Sequence, residues 1–139
     1  MKYDELKKQF SLQPKPSRRP RHLESEIQRA CVQWFKLQYP RYVIFAVPNG
    51  GARNGKEAAI MKGEGVLAGV SDLIIVADRA VMFVEMKTPE NKQQKTQIEF
   101  QHNVERLGHT YVVCHSLKEF QLAVERWLKS KYGYEVSDK

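Results

Sequence analysis

Cysteine is scarce in this chain: Cys31 and Cys114 are the two among 139 residues. They show neither CxxC nor zinc-site spacing, and a single pair cannot supply the disulfide framework of a small secreted fold. Two reduced core thiols are expected, one in a helical pattern and one in a strand pattern. Histidine is sparse too, and His102, His109 and His115 stand at neither HxxxH nor HExxH spacing, which argues against a zinc site. Long apolar runs are missing, since no stretch approaches the ~20 residues of a membrane-spanning helix. Met1-Lys2-Tyr3-Asp4-Glu5 does not open a signal peptide. One cytoplasmic domain with no membrane partner is the expectation, because 139 residues suffice for one core and not two.

Acids are outnumbered, 16 against 23 Lys and Arg, for a net charge of +7 and a pI near 9.5. Residues 1–22 hold seven cations and two acids (7 − 2 = +5), leaving 16 − 14 = +2 for the remainder. Such a balance suits a polyanionic partner. Pro14, Pro16 and Pro20, set among Lys15, Arg18, Arg19 and Arg21, break regular structure. Residues 1–21 therefore read as a basic arm, either solubilising or gripping phosphates without sequence preference. Residues 22–131 read as the folded domain and 132–139 as a tail.

Along the domain, Ile27, Ala30, Cys31, Trp34 and Phe35 form a helical stripe over residues 23–39, closed by Pro40. A strand over 42–47 follows, then a loop and a short helix over 56–64 with Ala58, Ala59 and Met61. Gly50 to Lys56 matches GxxxxGK, but Glu57 stands where a phosphate-cradling loop needs Ser or Thr. Asn49 and Arg53, with open backbone beside the glycines, are better read as approaching a nucleic-acid backbone, with Lys56 and Lys62 flanking the cleft. A helix over 91–107 closing at Gly108, a strand over 110–114 and a helix over 117–130 complete the order α-β-(α)-β-β-α-β-α.

The centre is the stretch from Gly69 to Lys87, two β-branched runs separated by Asp78-Arg79. In the second run Val81, Phe83, Glu85 and Lys87 share one face, and Met82, Val84 and Met86 the other. A strand apolar on both faces is normally buried, so Glu85 and Lys87 need a reason to be there. With a two-residue or four-residue turn, Ala77 pairs with Ala80 and Asp72 falls opposite Glu85. A three- or five-residue loop would slip the register. Opposed like charges repel, and a divalent cation between them turns repulsion into binding. Mg²⁺ is commonly held by one or two carboxylates with water and phosphate oxygens. Lys87, about 7 Å further along that face, could reach a water or phosphate.

Asp72 followed by Glu85-Met86-Lys87 resembles the PD-(D/E)xK nuclease signature. Gly69-Val70-Ser71-Asp72-Leu73 with Val84-Glu85-Met86-Lys87 resembles its VRR-NUC branch, stand-alone and virus-type, with Ser71 where that family most often has proline. The resemblance extends to Glu26 on the first helix, to Pro48-Asn49-Gly50-Gly51-Ala52-Arg53, and to Gln97, eleven residues before Gly108. It implies an α/β fold, with a restriction-endonuclease-like αβββαβ core and a mixed central sheet flanked by helices. It also implies a Mg²⁺- or Mn²⁺-dependent phosphodiesterase acting on DNA, Holliday-junction-like or branched, as a homodimer in a bacterial or phage-infected cell. Asp72, Glu85 and the carbonyl of Met86 would hold the metal, with Glu26 assisting through water. Lys87 and Gln97 would complete the site, and Gln101 is a weaker candidate one turn on. The alternatives are a non-catalytic binding module of the same fold and a restriction-type endonuclease.

Overall fold

The structure is a computed structural model that describes residues 20–48 and 55–133, with backbone alone for residues 20–22. Arg18, Arg19, Asn49 and Arg53 therefore lie outside the described residues, as does the side chain of Arg21. Among these residues eight elements follow in order: α1 (Pro20–Gln38), β1 (Val43–Ala46), α2 (Gly55–Gly63), β2 (Leu73–Ala77), β3 (Ala80–Met86), α3 (Lys95–Arg106), β4 (Thr110–Cys114) and α4 (Leu117–Tyr132).

The strands form one sheet in the order β1-β2-β3-β4. β1 and β3 both run antiparallel to β2, whereas β4 lies parallel to β3. The parallel step requires a crossover, and α3 supplies it. This is the expected mixed sheet flanked by helices.

Strand alternation divides the side chains between two layers. Ile44, Leu73, Ile75, Met82, Val84 and Cys114 point to one face, where Cys31 and Phe35 of α1 and Phe120, Val124 and Leu128 of α4 join them in the buried core. On the other face Phe83 and Tyr111 meet Phe100 of α3, with ring centroids 5.2 and 6.2 Å apart. Edge strand β1 is less covered on that side, where Val43 and Phe45 are 53% and 46% exposed.

Element boundaries shift from the sequence reading for local reasons. α1 begins at Pro20 rather than residue 23, because proline's fixed φ and missing N–H suit a first helical position. α3 begins at Lys95 rather than residue 91. A turn with Asn91 N–H donating to the Thr88 carbonyl at 3.0 Å occupies the intervening chain, and Gln94 caps the helix. α4 runs two residues further than expected. Ser116 Oγ caps its start by accepting from Glu119 N–H at 3.1 Å, and Gly133 ends it in the left-handed conformation (φ 71°).

The β2–β3 turn is the two-residue one, with Ala77 paired to Ala80. Asp-Arg is a poor hairpin pair, and here Arg79 takes the left-handed conformation (φ 56°). Tertiary contacts hold it. Tyr132 Oη donates to the Asp78 carbonyl at 2.6 Å, and Tyr42 Oη to Asp78 Oδ2 at 3.4 Å.

Candidate active site

Register brings the two acids together. Leu73 pairs with Val84, so the next step places Asp72 opposite Glu85. Just beyond the end of β2, the Asp72 carbonyl still accepts from Val47 N–H at 2.9 Å, which holds its backbone against β1. The Asp72 carboxylate is fixed as well, because Met86 N–H donates to its Oδ2 at 2.8 Å. Glu85 lies beside it, 1% exposed, with no hydrogen-bond partner for either carboxylate oxygen among the described residues.

Electrostatics follow from that placement. Burial, then the adjoining Asp72 carboxylate, push the Glu85 carboxyl up to about 8, while the Lys87 ammonium works in the opposite direction. Two carboxylates this close favour holding a proton until a cation replaces it. Lys87 continues the β3–β4 ladder, its N–H donating to the Cys114 carbonyl at 3.0 Å.

The donor set fits a hard divalent cation. It consists of oxygens only, and Glu85 carries buried lone pairs to which nothing donates among the described residues. Among the described residues no cluster of three or more His, Cys, Asp or Glu side chains forms. Two acids completed by backbone, water and substrate oxygens is the Mg²⁺-like pattern.

Helix α1 contributes an acid that differs from the one expected. Glu24 Oε1 accepts from Thr88 N–H and from Asn91 Nδ2, both at 3.2 Å, which ties α1 to the turn just after Lys87. Glu26, two residues on, lies about 200° around the helix and is exposed. A sequence signal for Glu24 exists, since it stands three and seven residues before Ile27 and Cys31 and so continues the core stripe.

Gln97, in the first turn of α3, is partly occupied. Its Oε1 accepts from Gln94 N–H at 2.8 Å as a helix cap, so its amide nitrogen is the part left to face outward. What brings α3 here is Gly69. With φ of 88°, it packs so tightly on the backbone of Thr96 and Gln97 that a Cβ would collide with the Thr96 carbonyl. Gln101 accepts from Gln93 Nε2 at 3.0 Å, and the same nitrogen donates to Tyr111 Oη at 3.2 Å. Sequence reasoning missed Glu24, Gly69, Gln93 and Tyr111. Lys56 and Lys62 are exposed on α2, a helix with no buried residue.

The mixed sheet flanked by helices is that of a nuclease-type domain. The VRR-NUC domain model matches residues 22–118, and the chain belongs to that family. A solved structure described as "VRR_NUC domain protein" superposes with a TM-score of 0.64 at 24% identity, covering 77% of this chain and 88% of its own. A second, described as "VRR_NUC domain", gives 0.56 at 19% identity, with 76% and 97% covered. At these identities the likeness speaks for the fold. Among curated proteins none matches the chain in sequence. No helix of the described residues is long and apolar enough to cross a membrane.

Proposed function

We propose that this chain is a metal-dependent DNA endonuclease, hydrolysing phosphodiester bonds in branched DNA, four-way junctions above all, during replication, recombination or repair. One observation carries the reading: Asp72 and the buried, unpartnered Glu85 meet across β2 and β3. A non-catalytic binder gains nothing from opposed carboxylates beside a polyanion.

Asp72, Glu85 and the carbonyl of Met86 would hold Mg²⁺ or Mn²⁺. When bound, the ion supplies polarisation of the scissile phosphate and a water of lowered pKa. The chain does the rest. Met86 N–H keeps Asp72 aimed, and Lys87 orients the attacking water and offsets charge developing on the phosphate. Glu24 takes the outer-acid role expected of Glu26, by holding the turn after Lys87 in place. Gln97 offers its amide nitrogen to a phosphate oxygen. Lys56 and Lys62, with Asn49, Arg53, Arg18, Arg19 and Arg21 by sequence, contact the DNA backbone. A homodimer would present two such sites to two strands, as a two-fold axis requires. Sedimentation at the monomer mass would remove that part.

The test is a panel of labelled duplex, flap, single-strand and four-way-junction DNAs incubated with Mg²⁺ or Mn²⁺ at two salt concentrations. The expected result is metal-dependent cleavage, fastest on branched substrates. Tight binding with no metal-dependent cleavage of any of them would establish the binding-module alternative instead.

A further inference from the structure

Two buried polar groups with hydrogen-bonding capacity to spare share one face of the sheet, on β3 and β4. Neither oxygen of Glu85 receives a hydrogen bond among the described residues. Across the parallel ladder, Phe83 pairs with Tyr111 and Glu85 with Val113, so Tyr111 and Glu85 are diagonal neighbours on one face. Diagonal neighbours lie ~7–8 Å apart at the backbone, within reach of long and aromatic side chains.

Tyr111 is 6% exposed, and its Oη accepts from Gln93 Nε2 at 3.2 Å. The same Gln93 nitrogen donates to Gln101 Oε1 at 3.0 Å, and Gln101 Nε2 donates to Glu105 Oε2 at 3.4 Å. This chain of amides spends an acceptor lone pair of Tyr111 Oη and leaves its proton for another acceptor. Burial and then the Glu85 charge hold the phenol above its ordinary pKa, so it stays a donor at neutral pH.

The Tyr111 hydroxyl, with a proton still to donate, and the Glu85 carboxylate, with no donor among the described residues, thus stand within electrostatic reach of each other on one face. A buried carboxylate left without a donor is costly. Buried polar groups of this kind are where ordered water resides.

We propose that Tyr111 is a positioning residue of the carboxylate site: its hydroxyl, oriented by Gln93 and Gln101, donates to a water molecule shared with Glu85. The contact fixes the rotation of the Glu85 carboxylate, as outer-layer hydrogen bonds do for metal ligands. Its consequence for cleavage rests on the nuclease reading above, while its geometry stands without it.

Three readouts on wild type, Tyr111→Phe and Gln101→Leu test this. A high-resolution crystal structure of the wild type should show a water within hydrogen-bond distance of both Tyr111 Oη and the Glu85 carboxylate. Phenylalanine keeps the ring against Phe100. Tyr111→Phe should therefore retain its Tm and its KM for DNA, while kcat and Mn²⁺ affinity measured without DNA each fall about tenfold. Gln101→Leu should show a smaller loss in the same direction. The absence of a shared water, or wild-type Mn²⁺ affinity in Tyr111→Phe, overturns the proposal. So does a Tyr111→Phe that merely unfolds beside a Gln101→Leu with normal Mn²⁺ affinity. If the wild type cleaves no DNA at all, the nuclease reading falls, and the crystallographic water with the Mn²⁺ comparison still decides the role of Tyr111.

Discussion

The backbone N–H of Met86 donates to Oδ2 of Asp72 at 2.8 Å, tying the first acid of the pair to the residue next to the second. The two carboxylates are consequently unequal. Asp72 has a fixed donor, whereas Glu85 is buried with none among the described residues.

That inequality gives the metal-free protein a pH dependence of defined sign. Folding raises the Glu85 pKa from the ordinary 4.5 to about 8. Its contribution to stability is fully present below 4.5 and is lost as pH rises through that raised value. With EDTA, Tm should fall on going from acid to mildly alkaline pH. Glu85→Gln should flatten the curve and raise Tm on the alkaline side by roughly 5 °C or more. Mn²⁺ at 100 times its Kd should add about 2.7 kcal/mol to the wild type and nothing to Glu85→Gln. A metal-free wild type whose Tm ignores pH across this window contradicts the assignment.

Gly69 and Gly63 should respond to alanine in opposite directions. At Gly69, φ of 88° and the Thr96 backbone leave no room for a Cβ, so α3 and Gln97 must move away from Asp72. Gly69→Ala should destabilise by 2 kcal/mol or more, on the order expected for a strained, overpacked site, and should suppress cleavage. At Gly63, in α2, a Cβ meets nothing, and Gly63→Ala should stabilise by about 0.4–1 kcal/mol. Thermal unfolding of the two variants side by side checks the pair.

Glu24 and Glu26 are separated by the same kind of comparison. Glu24→Gln weakens the hold on Thr88 N–H and Asn91 and should slow cleavage about tenfold. Glu26→Gln changes an exposed surface acid and should stay within about twofold of wild type. Equal losses in initial-rate assays would return Glu26 to the site.

The sheet and the acid pair were legible because they follow from local pattern. β-branched runs marked β2 and β3, and the two-residue turn at Asp78-Arg79 fixed which residues face each other. Glu24 was harder, because two acids within one turn compete and the deciding partner, Thr88 N–H, lies 64 residues away. The capping role of Gln97 was hidden because its partner is Gln94 rather than the usual Ser or Thr. The close approach of Gly69 to Thr96 and the amides around Tyr111 exist only once α3 docks on the sheet. No periodicity in a single segment encodes them.

The most direct test compares Asp72→Ala with wild type in Mg²⁺-dependent cleavage of a labelled four-way junction, with thermal unfolding as the control for folding. Wild-type cleavage, its loss in Asp72→Ala and an unfolding transition as cooperative as that of wild type are the outcome expected of an acid pair that grips a catalytic cation. An Asp72→Ala variant that cuts the junction as fast as wild type would contradict it.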